Sequence, residues 1–198
     1  MEETMSNYAK TAIMQTFRRM LKEMAFDQIS VSALTQRCGI HRNTFYAYYR
    51  DIYQLLNEWM RQELGQLALE INENTWEERV RIMLYKCRKN KRAVNHILQS
   101  RARDQLERFV FSAENDAFNQ YVAAKVKGKR VPKEFILDLS SLCRYAFFGV
   151  FLQFVWNNME TNIDMEIRKL RELLSGLVEQ ELGKMKNWQY ENAKREAS

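Results

Sequence analysis

The chain has 198 residues, 46% of them hydrophobic and 28% charged, and a formal net charge of +6. That is a globular composition with enough apolar side chains for a sizeable core, and it excludes a disordered or low-complexity chain. One proline and six glycines are too few turn residues for a sheet protein of this length, so an all-α fold is expected.

The basic balance suits a polyanionic partner and equally suits ordinary solubilising charge. Three cysteines, Cys38, Cys87 and Cys143, lie far apart, which argues against a disulfide framework or a zinc site and fits a reducing cytoplasm. His41 and His96 add no metal-ligand spacing. The first residues, Met-Glu-Glu, lack a charged-then-apolar leader pattern. The longest unbroken apolar run, 145–152, is too short for a bilayer, so no membrane association is expected.

In chain order, residues 8–24 place Ile13, Phe17, Met20, Leu21 and Met24 at helical spacing. Ser30 is positioned to cap a short helix carrying Val31, Leu34 and Cys38, and Gly39 to stop it with a positive φ. A second short helix follows over 42–48. Asp51 opens a long one over 52–73, with Leu55, Leu56, Trp59, Leu67 and Ile71 on its apolar side. Thr75 opens further helices as far as 127. Gly128 and Pro132 break the chain, a long helix covers 133–159, and a last amphipathic helix carries Ile163, Ile167, Leu170, Leu174, Leu177 and Leu182. Residues 188–198 read as a polar tail. The count is about nine helices: a helix-turn-helix domain over 1–51 and a helical effector-binding and dimerisation domain over 52–187.

Charge is uneven along this framework. No acid occurs between Asp27 and Asp51, where Arg37, Arg42 and Arg50 fall. A second acid-free stretch, between Glu78 and Asp104, holds Arg79, Arg81, Lys86, Arg88, Lys89, Lys91, Arg92, Arg101 and Arg103. It is open to three readings: a solvated face, extra contact to a nucleic-acid backbone, or an anionic-effector site. A third basic cluster is Lys125, Lys127, Lys129, Arg130 and Lys133.

The segment RCGIHRNTFYAYYR, residues 37–50, is at once basic and aromatic. On a helix turning ~100° per residue, Phe45 and Tyr49 share a face and Ile40 leads into it. Asn43, Thr44, Tyr46 and Ala47 lie opposite, flanked by Arg42 and Tyr48. One side is therefore an apolar anchor, and the other offers hydroxyls, an amide and a guanidinium suited to phosphates and base edges. Two short helices joined through Gly39 and propped by an earlier amphipathic helix make a helix-turn-helix. A tight helical corner with surface tyrosines is the plainer alternative.

The stretch FDQISVSALTQRCGIHRNTFYAYYRDIYQLL, residues 26–56, resembles the DNA-binding segment of tetracycline-repressor-type (TetR family) regulators. The matching positions include Phe26, Ile29, Ser30, Val31, Leu34, Gly39, Ile40, Thr44, Phe45, Tyr46, Tyr48, Tyr49, Arg50, Leu55 and Leu56. The resemblance implies DNA contact by Arg42, Asn43, Thr44, Tyr46, Tyr48 and Arg50, a capping or phosphate role for Ser30, and Ser32 near the groove. Two positions depart from the family pattern: His41 replaces its usual capping serine, and Ile52 replaces a phosphate-gripping lysine. The resemblance also implies a dimer built on the last two long helices.

The helix over 133–159 is apolar nearly all round. Such a helix is expected to be buried on one side by its own core and on the other by a second subunit. Phe147, Phe151, Phe154, Leu170, Leu174 and Leu177 are the candidate interface residues, and Phe151 or Trp156 could line an effector pocket. No nucleophile–base pair, phosphate loop or metal cluster supports an enzyme, and no cofactor is expected. The expected function is a cytoplasmic, homodimeric transcription regulator, a repressor released from an inverted-repeat operator in double-stranded DNA by an unknown small-molecule effector. The alternative keeps dimer and DNA but places control with a protein partner, with activation as the outcome.

Overall fold

The computed structural model describes residues 2–65 and 75–196, with side chains from Tyr8 to Met185. Among the described residues all regular structure is helical: α1 (Glu2–Glu23), α2 (Val31–Cys38), α3 (Arg42–Tyr46), α4 (Ile52–Met60), α5 (Trp76–Lys89), α6 (Lys91–Leu98), α7 (Arg103–Ala113), α8 (Asn115–Val126), α9 (Lys133–Trp156) and α10 (Ile163–Glu196). A 3-10 turn at Phe26–Gln28 and a π turn at Arg61–Gly65 complete the set.

Several boundaries depart from those expected. The helix opened by Asp51 does not run unbroken to 73: regular α geometry stops at Met60 and a π turn follows. One guanidinium, Arg18, holds both Gln62 (3.0 Å) and Glu63 (2.8 Å) in that wide turn. Leu67 and Ile71 lie outside the described residues. No glycine or proline occurs between 75 and 127, yet that stretch divides into four helices. One corner uses a side chain instead: Ser100 Oγ donates to the Ile97 carbonyl (2.7 Å) and accepts from the Ala102 amide (3.1 Å). α9 ends at Trp156, where Asn158 and Met159 adopt φ of 54° and 60° and the Met159 amide returns to the Phe154 carbonyl at 2.7 Å. α10 continues as helix to Glu196, through most of the segment read as a tail.

The described chain divides into two compact units. The first takes Met1–Asn72 and Tyr85–Val110. Its centre is α1, whose Ile13, Phe17, Met20 and Leu21 are at most 1% exposed and meet α2, α4 and α6. Phe17 and Phe26 pack edge to face at 6.4 Å. His96 Nδ1 donates to the Leu21 carbonyl at 2.7 Å, satisfying one of the orphan acceptors at the end of α1.

The second unit takes Glu73–Leu84 and Phe111–Ser198. Trp76 stacks on Phe118 at 5.3 Å, and Phe118 meets Phe147 at 6.1 Å, joining the start of α5 to α8 and α9. Ile163, Ile167, Leu170, Leu174, Val178 and Leu182 close this core from α10. By length and mean hydropathy α9 could cross a membrane, although its longest unbroken apolar run is short. The polar positions that interrupt it are few enough to leave the average high. Its Leu139, Cys143, Phe147, Phe151 and Phe154 are buried within the second unit, and 28% of the apolar window is buried in all.

One ion pair is nearly sealed in this unit. Arg79 of α5 meets Glu114 at 3.2 Å and also donates to the Ala113 carbonyl at 3.1 Å, with the Glu114 residue only 4% exposed. Burial raises the Glu114 carboxyl above its ordinary range, and Arg79 pulls it back down. Removing one partner of a buried pair leaves an uncompensated charge. Arg79→Met is therefore expected to cost ~3–5 kcal/mol at neutral pH. The loss has a definite pH dependence. An acid whose folded pKa is raised binds its proton more tightly in the folded chain, so stability is fully present at low pH and falls as pH rises from the unfolded value, ~4.3, through the folded one. Urea melts of wild type and variant should show a deficit smaller at pH 5 than at pH 8. An equal deficit at both would remove Glu114 as its source.

Candidate nucleic-acid interface

The helix-turn-helix is built from α2, the turn through Gly39, and α3. Ser30 caps α2 by accepting from the Ala33 amide at 3.1 Å. Gly39 ends α2 at φ 69°, a left-handed conformation that a side chain would strain. α3 opens at His41, whose side chain makes no capping hydrogen bond, in keeping with the missing family serine. α4 opens more firmly: Asp51 accepts from the Gln54 amide at 2.8 Å, while Gln54 Oε1 accepts from the Arg50 amide at 2.6 Å. The arrangement resembles a capping box, except that Gln54 reaches the amide before the cap residue rather than that of Asp51 itself. The Gln54 hydrogen bond leads in holding the Asp51 carboxyl below the usual carboxylate range.

α3 is sided as its sequence requires. Phe45 is 0% and Tyr49 2% exposed, whereas Tyr46 is 54% exposed. Arg42, Asn43 and Ala47 are exposed, and Thr44 and Tyr48 are half-buried beside them. Tyr49 is fixed from two directions. Lys10 of α1 lies 5.9 Å over its ring and pairs with Glu58 of α4 at 3.0 Å. Burial and the nearby Glu58 carboxylate push the Tyr49 phenol well above its usual range. The outward face thus has its direction set by α1 and α4.

The arginines of this segment are not equivalent. Arg37 pairs with Glu23 of α1, and Arg50, its side chain 85% exposed, meets Asp51 at 3.0 Å. Both acids flank the acid-free stretch in sequence and reach it in space. Arg42 donates instead to the hydroxyl of half-buried Ser32, which ties the start of α3 to the start of α2. Sequence reasoning overlooked Gln54, although Asp-x-x-Gln before an apolar run is a legible capping signal. It also overlooked Glu23, which no local pattern links to Arg37.

In the second unit the candidate residues separate. Phe151 is 0% exposed and Trp156 70% exposed. Five residues on a helix are ~140° apart, so the two do not line one cavity. Phe147, Phe151, Phe154, Leu170 and Leu174 are at most 3% exposed within the protomer and so have almost no surface to offer a second chain. Leu177 is half-buried. The outward apolar positions are others: Leu142, Tyr145 and Trp156 on α9, and Met165 and Leu173 on α10. An all-apolar helix hides this distinction, because sequence alone does not say which side its own core takes. The basic stretch 79–103 is partly self-neutralised: Arg81 pairs with Glu78 and Asp164, and Arg103 with Glu107. Burial raises the Cys87 thiol to about 12 and the Cys143 thiol to about 11, so neither is a thiolate at neutral pH.

The two faces of α3 should respond oppositely to truncation. Phe45→Ala is expected to destabilise the chain by ~3–5 kcal/mol, as in other buried-aromatic deletions. Asn43→Ala should stay within ~0.5 kcal/mol. Chemical denaturation measures both, and a large loss for Asn43→Ala would mean that the outward face is structural.

Residues 74–176 match the family model described as a transcriptional regulator C-terminal region, of the TetR type. No curated protein matches the chain. Among solved structures it is similar to "Dihydroxyacetone kinase operon activator DhaS", with TM-score 0.64 and 18% identity over 86% of this chain and 96% of that one. At that identity the likeness shows a shared fold. The family match spans more than half of the chain, downstream of the helix-turn-helix: the chain belongs to the TetR family of transcriptional regulators.

Proposed function

We propose that this regulator binds double-stranded DNA as a homodimer, inserting α3 into the major groove, and that an effector changes the disposition of its two reading heads. One observation carries the reading: a short helix anchored by Phe45 and Tyr49 turns outward an acid-free face of Arg42, Asn43, Thr44 and Tyr46. Ala47, at the exposed end of that face, is small enough for close approach to a groove. Ser30, Ser32, Tyr48 and Arg50 flank it. Ser32 holds the Arg42 guanidinium in the free protein, an arrangement that base recognition would have to exchange. A DNA-bound regulator would work in the cytoplasm.

The sign of regulation has two readings. Release from an operator by a small molecule makes the protein a repressor. The similar structure carries an activator's name, which favours the alternative of activation, with a protein partner as the signal. A promoter-reporter assay with and without the chain separates them.

DNA affinity should depend on α3. Arg42→Ala is expected to cost ~1–3 kcal/mol and to relax preference at one base pair. Tyr46→Ala should weaken binding with helicity unchanged. The selected site should be an inverted repeat with half-site centres ~34 Å apart or a multiple of that. If Arg42 alone touched phosphate in each head, log affinity against log salt would have slope ~−2; release of Arg37 and Arg50 from their exposed, weak ion pairs would steepen it to ~−5. Fluorescence anisotropy across a salt series measures this. A slope near zero with unchanged affinity in both variants would remove the proposed face.

The dimer should form on the outward sides of α9 and α10. Leu142, Tyr145 and Trp156 stand there with Gly149, and Met165 and Leu173 with Gly176. A Cβ added at Gly149 or Gly176 would meet nothing within 4 Å in the protomer. Glycine inside a helix costs ~1 kcal/mol relative to alanine, so two on outward faces fit close approach by another backbone. Leu173→Glu is expected to yield monomers by sedimentation at micromolar concentration and to weaken DNA binding in parallel. A wild-type monomer under those conditions contradicts the dimer.

A further inference from the structure

A recess of about 400 Å³ opens in the second unit between the first turns of α5 and those of α10. Glu77 and Arg81 line it from α5; Asp164, Ile167, Arg168 and Arg171 line it from α10. It lies away from the α9 side of the bundle, and it involves neither Phe151 nor Trp156. Three guanidiniums face one small space. Arg81 is already committed, paired with Glu78 and hydrogen-bonded to Asp164 at 2.8 Å. Those two carboxylates therefore serve Arg81.

Arg168 and Arg171 have no ion-pair partner among the described residues. They stand three residues apart on one helix, where like charges repel. The nearby Lys169 has its own carboxylate, Glu166, at 3.1 Å. So the neighbouring cation on α10 is neutralised and the two at the recess are not. Two guanidiniums lining one recess supply the donor forks that carboxylates and phosphates take up. Buried Ile167 supplies an apolar wall, and Glu77 at the α5 side would accept from a hydroxyl or amine on the same molecule. The volume falls in the range of small-molecule sites.

We infer that this recess is an anion-binding site, with Arg168 and Arg171 as its grip and Arg81 as a fixed electrostatic wall. Its ligand class is a small organic acid or phosphate ester carrying a hydrogen-bond donor away from its charge. Both sources share the same anionic chemistry at the guanidiniums. A regulatory role for the site rests on the DNA-binding function proposed above; the binding itself does not.

The test uses the full chain without DNA, in low-chloride buffer, titrated calorimetrically with inorganic phosphate and separately with succinate. Saturable binding of at least one probe is expected, and which one binds distinguishes phosphate from carboxylate recognition. The double variant R168Q/R171Q should bind at least tenfold more weakly with its melting curve still cooperative. The control K127Q/K129Q removes the same charge at exposed positions elsewhere and should bind as wild type does. No binding of either probe to wild type, equal binding by R168Q/R171Q, or equal weakening in the control would overturn the site. A chain that binds the probe but no DNA contradicts the proposed function and leaves the site standing.

Discussion

The seating of Phe45 and Tyr49 is the contact from which the rest of the helix-turn-helix follows. α3 is a helix of five residues, far too short to hold its own shape in water. Its form and its direction are borrowed from the core beneath it. With Phe45 and Tyr49 buried and Lys10 lying over the Tyr49 ring, the alternation of the segment becomes a geometric fact. Each outward side chain points where it does because two aromatic rings have nowhere else to go. The polar face has few rigid supports of its own beyond the bond from Arg42 to Ser32. Its precision comes from apolar packing on the other side.

The same contact explains which features were legible in the sequence. Local rules governed the helix-turn-helix. Ser30, Gly39 and Asp51 each act within a few residues of themselves, so their types and spacing sufficed to place α2, the turn and the start of α4. The helices between 75 and 127 were visible as helical material but their corners were not: Asn90 and Glu114 make distant contacts, to Glu63 and Arg79, and Ser100 turns the chain through its hydroxyl without a glycine or proline to mark it. The π turn after Met60 was equally hidden, since its holding group, Arg18, lies on another helix.

The second unit was less legible. Sequence marked α9 and α10 as heavily apolar, and of the interface candidates it named there, all but half-buried Leu177 are buried within the chain. Phe147, Phe151 and Phe154 were singled out because their helix has no polar side, which leaves open the side its own core takes. They pack into that core, Phe147 against Phe118. What remains outside is more mixed: tyrosine, tryptophan, leucine and glycine among polar neighbours. An amphipathic helix announces its buried side, and one without a polar side does not. Only the neighbours α8 and α10 decide it.

The hydrogen bond from His96 to the carbonyl of Leu21 spans 75 positions of chain, and α6 packs along α1 beside it. During synthesis α1 to α4 emerge well before the residue that completes their support. Until α6 arrives, α1 has an uncovered apolar flank and an unsatisfied acceptor near its end. A fragment cut just after α3 would carry the outward side chains of α3 without the α6 brace on α1. Placing that brace downstream leaves the support of α1 incomplete until about half the polypeptide has been made.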